Sequence, residues 1–411
     1  MKPRRIYALA LALCLLLAGC THADPSGTDA IALYDLTALP GQDAPNSNNV
    51  VIFPLSFTGT EGYYYGTMAL DNYVYYYDQA SGVSDVLCAD PSCTHDSNTC
   101  SAYISEMNSL NVYDGKLYWV GKDPADEDDH DYYLWCSDLT GANRQKGLKI
   151  SNTDVVLEYS PQVYYIHRDR LYFIGHNNIV DGTETSLRDT LFSIPLDGGE
   201  DFTCIYEITT VNGAALTPRF VGNTIFLGVY ITEDTDQELA EESHGEDREL
   251  QVIQYDIPTG ESRVVYQETD FPEYFGRPWV TADGEIYLTS SDNEQSTHLW
   301  KLEDGSRTEI VSWQGAGSAT AGDGAAIFTW TDDNGVRMAD VVSLDGEPIY
   351  SGMLFPEGIP GLDDLNMISY GLLSIDEDYV FLFLFEPFSG TNYVARLDLH
   401  NNLEPTILWG N

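Results

Sequence analysis

The segment 87–103, LCADPSCTHDSNTCSAY, gathers Cys88, Cys93, His95 and Cys100 into thirteen residues. Three thiolates and one imidazole make a complete tetrahedral donor set for zinc, and such short intervals let one loop supply all four. Cys93 and His95, two apart, point the same way from an extended segment. Pro91 and Ser92 bend the chain between the first two cysteines. The spacing C-x4-C-x-H-x4-C matches no standard zinc finger. Four protein ligands leave no open position, so the metal it would hold is one structural zinc rather than a catalytic ion. A disulfide within the loop is the competing reading if the chain is exported, and unmodified thiols are the third. Cys136 and Cys204 fall on predicted strands and read as buried thiols. Together with the three loop cysteines they make five, so at least one stays unpaired.

The elements that must hold this loop repeat. An aromatic residue after a turn recurs at Tyr64, Tyr118, Tyr172, Phe226, Tyr287, Phe328 and Phe381, and the first four lie 54 residues apart. An acidic turn after the following strand recurs in step at Asp78, Asp138, Asp197, Asp256, Asp304, Asp345 and Asp398. Around each marker the pattern has period two. Tyr133, Trp135 and Ser137 alternate with Leu134, Cys136 and Asp138, in strands rich in Tyr, Val, Ile, Phe and Trp. Asp-Gly pairs at 114–115, 197–198, 283–284, 323–324 and 345–346 suit tight hairpins. One copy is too short to bury its own apolar face, so copies must pack on one another. The expected fold is therefore all-β: a β-propeller of seven four-stranded blades, with six or eight as the alternatives. The blades are predicted near 50–88, 109–150, 160–208, 214–267, 277–313, 318–354 and 366–410. A short helix within a loop at 237–243 is the only helical expectation.

Residues 1–20 carry an export signal: Lys2, Arg4 and Arg5, an apolar run over 6–16, then Leu17-Ala18-Gly19-Cys20. This resembles the bacterial lipobox, in which the cysteine, here Cys20, is lipidated and becomes the first mature residue. The implied partner is the membrane, reached through acyl chains at Cys20. Residues 21–49 are rich in Asp, Pro, Ser, Thr, Gly and Asn and read as a flexible tether, leaving 50–411 for the propeller.

With 65 acidic and 19 basic residues the chain carries a net charge of −46, and removal of Lys2, Arg4 and Arg5 takes it to −49 (16 − 65). Such a surface repels nucleic acid. The densest acidic runs, 123–131 and 232–247, fit no EF-hand, so calcium binding there is expected to be weak at most. The long segments 122–131, 176–189 and 232–248 are predicted to join second to third strands on one face, with tight turns on the other. That long-loop face is the expected site for a protein, peptide or glycan ligand. His130, His176, His244 and His298 fall in those predicted loops and form a second candidate metal group.

The Tyr-rich strand NYVYYYDQASGVSDVLC, running into D-P-x-C-x-H and then C-S-A-Y, resembles a group of uncharacterised lipid-anchored propeller proteins of Gram-positive anaerobes. The resemblance implies a β-propeller on the outer face of a Gram-positive cell membrane, and it carries no catalytic residues. No G-x-S-x-G elbow, Walker loop, dinucleotide fingerprint or H-E-x-x-H occurs in the sequence. The expectation is thus a binding or protein-interaction module rather than an enzyme. An extracellular carbohydrate-active enzyme, with two of the many carboxylates as its acid and base, is the alternative.

Overall fold

The computed structural model describes residues 36–37, 55–57, 62–66, 71–126, 131–150, 164–181, 184–198, 202–211, 213–232, 248–269, 271, 273–292, 296–315, 317–356, 358–359, 368–386 and 391–410. The signal segment with Cys20, the tether, the short helix expected at 237–243, and His130 and His244 lie outside them. The described chain is all strand and turn.

The strands form consecutive antiparallel four-stranded meanders. The first contains β1 (Leu55–Phe57), β2 (Gly62–Gly66), β3 (Asp71–Asp78) and β4 (Val83–Val86). The second contains β5 (Tyr103–Tyr113), β6 (Lys116–Lys122), β7 (Tyr132–Asp138) and β8 (Gln145–Lys149). Five more follow, within 164–210, 214–269, 274–314, 317–353 and 369–410. This is the β-propeller architecture. Every aromatic marker of the repeat sits in the second strand of its unit, and all but the half-buried Tyr118 are buried. The acidic markers fall at or just after the end of the third strand.

The period-two pattern hides both faces of each unit, because each face meets a neighbour. Seven apolar clusters result, one at each junction. Leu134 packs with Tyr164 and Phe173 of the third unit, while Trp135 on the opposite face packs with Tyr64 and Val74 of the first. The seventh cluster joins Tyr63, Tyr65 and Tyr77 to Phe381, Val394 and Leu408, so the first unit packs on the last. Arg396 secures that contact. Its Nη1 donates to Tyr63 Oη (3.0 Å) and Gln79 Oε1 (2.9 Å), and its guanidinium lies 4.4 Å from the Tyr379 ring centroid. Among the described residues no strand is shared between the two units, so side chains rather than a ladder close this contact.

In each of the last six units the third strand slips register against the fourth, as between Leu191 and Phe192 or Val252 and Ile253. Such bulges add right-handed twist, which the outer edge of a radial sheet needs. Turn chemistry is as local as the sequence implied at Asp114-Gly115, where both residues have positive φ (44° and 70°).

Two expectations are corrected. The predicted loop 176–189 is mostly ladder: Arg170–Asp181 and Glu184–Pro195 pair over their full length as one long hairpin. The second unit also starts earlier than 109. β5 begins at Tyr103, and its first residues pair with β3 before it becomes the first strand of its own unit. The first two units are thereby one continuous sheet.

Candidate metal centre and the acidic turn face

β3 has two neighbours on one edge. Tyr75–Asp78 pair with β4 and Asp71–Tyr73 pair with β5. The chain leaves that edge at Leu87, whose N–H donates to Val74 O, and returns at Ala102, whose carbonyl accepts from Val74 N–H. The insert 87–102 projects between these two points. It runs along the flank, touching both ends of the second unit. Asn98 Nδ2 donates to Pro124 O beside the β6–β7 loop, while a Cβ on Gly141 at the opposite turn would stand 2.2 Å from Leu87 O. Gly141 also has φ +77°, so close approach and backbone both demand glycine there.

Within the insert, one ligand atom from each of Cys88, Cys93, His95 and Cys100 lies within 4.8 Å of the others. Cys100 is buried and the other three are half-buried. Local hydrogen bonds build the site. Asp90 Oδ1 accepts from Ser92 N–H and Oγ–H, and Asp90 O accepts from Cys93 N–H, folding 90–93 into a turn. His95 takes a left-handed φ of 54°, with its N–H 3.5 Å from Cys93 Sγ and its Nδ1 3.5 Å from Cys100 Sγ. Ser101 Oγ–H donates to Cys88 Sγ (3.5 Å). Beneath the loop, Arg144 donates to Cys100 O and Tyr103 O while its guanidinium lies over the Trp135 ring at 4.6 Å. Sequence reasoning missed Arg144, which lies 44 residues from Cys100.

The thiols are not equivalent. Burial pushes Cys88 up, but hydrogen bonds from Ser101, the Asp90 backbone and the neighbouring thiols outweigh it and bring Cys88 down to about 7. Burial raises Cys100, and its hydrogen bonds with Cys88 and Cys93 raise it further. Cys88, Cys93 and Cys100 are all free in the structure, as is Cys136. The reading of Cys136 and Cys204 as buried thiols needs revision. Both are half-buried.

Of the four loop histidines, His176 and His298 lie among the described residues, and each is engaged separately. His176 pairs with the buried Asp189 across its own hairpin, and His298 lies in a strand, 2.9 Å from Glu309 and 3.6 Å from Asp292. Each serves a carboxylate of its own unit.

The tight-turn face, expected to be plain, holds a cavity of about 770 Å³ between turns of the fifth, sixth, seventh and first units. Asp283, Glu285, Asp323, Asp345, Asp376 and Glu377 line it beside Tyr63, Tyr287 and Tyr379. Burial raises the Asp323 carboxyl to about 6; Asp376 and Glu377 add to the rise, while Trp279 and Arg219 oppose it. Burial raises Asp376 as well. Aligning the first-to-second-strand turns of the repeat would have gathered Asp283, Asp323 and Asp376, but only packing brings them together.

No protein-family profile matches the chain, and no curated protein does. Among solved structures it is similar to a puromycin hydrolase (12% identity, TM-score 0.52), covering 92% of this chain and 57% of the other. It is also similar to an acylaminoacyl peptidase bound to Z-Gly-Gly-Phe-chloromethyl ketone (14% identity, TM-score 0.50), covering 86% and 52%. The propeller domain of the Trilobed protease from Pyrococcus furiosus aligns at 14% identity and TM-score 0.49, covering 88% and 96%. The chain spans just over half the length of the first two peptidases. At such identities the likeness is one of fold.

Proposed function

We propose that this protein is a lipid-anchored, cell-surface β-propeller that acts as a binding module, with its first two units clipped together by one structural zinc. The observation that supports the binding role is the asymmetry of the connections. First-to-second-strand turns are short, from Asp114-Gly115 to the five residues 281–285, whereas second-to-third connections run from two residues (182–183) to fifteen (233–247). A rigid scaffold with uniform turns on one face and uneven loops on the other suits recognition by the uneven face. A protein, peptide or glycan is the ligand class, and a membrane anchored through Cys20 on a Gram-positive cell is the setting.

The donor set and its closeness support the zinc. A tetrahedral ion with Zn–S near ~2.3 Å would hold its sulfurs about 3.8 Å apart. The four ligand atoms, all within 4.8 Å, need to close by an ångström or less. The N–H and O–H groups of His95 and Ser101 stand where they would share thiolate charge. Zinc here would tie the edge of β3 to the start of β5, the point where the first two units become one sheet.

Three measurements test this. Full-length protein purified without chelator should carry one zinc per chain, and Cys93→Ser should lose it; metal-free wild type would remove the clip from the reading. The protein should bind members of a peptide and glycan array, and shortening 233–247 should abolish that binding. Unchanged binding by the shortened protein would exclude the loop face, and turnover of array glycans would favour the carbohydrate-active alternative. Cys20→Ser should shift the protein from the membrane fraction to the medium.

A further inference from the structure

The first strand of the fifth unit is broken. Tyr274–Phe275 and Trp279–Val280 both pair with Ile286–Ser291; between them Gly276 N–H still donates to Thr289 O (2.7 Å), and Arg277 and Pro278 leave the ladder. Proline has no N–H to give and glycine permits the close pass, so the break is written locally. A Cβ at Gly276 would stand 2.4 Å from Thr289 Oγ1. The break opens a cavity of about 280 Å³ between the third, fourth and fifth units. Its walls are largely apolar, with Ile174, Leu216, Tyr230, Phe275 and Pro278 among them. Gly228 keeps it open, since a Cβ there would meet Thr217 Oγ1 at 2.5 Å and Pro278 Cγ at 2.9 Å.

The charged residue among those lining this cavity is a cation, Arg277, in a chain with 65 acidic residues. Arg277 lines it and is exposed, and Tyr165 lines it and is buried. Behind Pro278 lies Arg219, only 6% exposed. Arg219 Nε donates to Pro278 O (2.9 Å) and the guanidinium lies over the Trp279 ring at 4.8 Å. Its Nη1 is buried and has no hydrogen-bond partner. Both guanidiniums act electrostatically on the Tyr165 phenol, so the three groups converge. Among the described residues neither arginine is in ion-pair contact with a carboxylate. Asp323 offsets part of the Arg219 charge, whereas Arg277 on the cavity wall is open to an incoming anion.

We propose that this cavity is a binding site for a small organic carboxylate with an apolar body. The carboxylate would pair with Arg277, with the Tyr165 hydroxyl beside it and Arg219 adding its charge from behind Pro278, and the body would lie against Leu216, Tyr230 and Phe275. The volume, just under the usual ~300–1,000 Å³ of small-molecule sites, suits one ring or a short chain. The proposal does not depend on the loop face or the zinc.

The test is calorimetric titration of the full-length protein in detergent with phenylacetate, its neutral isostere phenylacetamide and the cation phenethylamine. Phenylacetate should bind, with the amide at least about tenfold weaker and the amine not binding, as expected when a charge-assisted hydrogen bond is lost. Arg277→Gln should weaken phenylacetate binding at least about tenfold, and Arg277→Lys should restore part of it. Because Arg277 is exposed, the glutamine variant should melt with the wild type. Equal affinity for acid and amide, no binding of the acid at about 10 mM, or wild-type affinity in Arg277→Gln would each overturn the assignment.

Discussion

Asp323 gives the sharpest test of how the units meet. Its carboxyl sits at the junction of the fifth, sixth and seventh units, where burial raises it from 3.8 to about 6. Between those two values the folded chain holds a proton that the unfolded chain has lost. Stability therefore falls as pH rises through that window, and above about 6 the whole cost is present. Two units correspond to about 3 kcal/mol, and because the side chain keeps some contact with water, about 1–3 kcal/mol is the working range. Asp323→Asn removes the charge and keeps the shape of the side chain. For roughly 360 folded residues the melting entropy is about 0.75 kcal/mol/K, so the variant should melt about 1–4 °C above wild type at pH 7.5. At pH 4 the wild-type carboxyl is itself largely protonated in the folded state, and the two melting curves should nearly coincide. Calorimetric scans of both proteins at pH 4, 5, 6 and 7.5 check this. An equal melting temperature at pH 7.5, or a gap as wide at pH 4, would refute the argument that burial and the crowding of Asp376 and Glu377 strain this carboxylate.

Further predictions concern the joints of the ring and of the insert. Arg396→Met removes two hydrogen bonds and the cation held among Tyr63, Tyr77 and Tyr379. Urea denaturation should show a loss of about 2–4 kcal/mol, because among the described residues this contact between first and last units is made by side chains. Gly322→Ala places a Cβ 1.8 Å from Ile375 O, backbone that cannot swing aside; the same assay should show at least about 3 kcal/mol lost. Arg144→Gln cuts the donors beneath the insert, so limited proteolysis should cleave within 88–100 faster while the melting temperature falls by only a few degrees.

The Cys88, Cys93, His95 and Cys100 group was legible in the sequence because a short loop enforces its own proximity: residues so few apart cannot lie far apart in space. The repeat was legible for a related reason. Alternation of side chains and the turn chemistry of Asp-Gly pairs are properties of adjacent residues, and they recur wherever the unit recurs. Where a local signal had two outlets, the reading failed. The stretch 176–189 satisfied both loop and ladder, and cross-strand partners such as Asp189 for His176 decided for the ladder.

Other features belong to tertiary structure alone. Tyr165, Arg219 and Arg277 are separated by more than fifty residues at each step, and they converge because three units present first strands side by side. Asp323 and Asp376 are ordinary turn carboxylates until neighbouring turns crowd and bury them. Neighbouring residues set the period, the strands and the one cluster that a single loop can build. The fold decided which charges share a cavity, because burial and Coulomb coupling depend on distance in space, and distance between units is set only when their apolar faces pack.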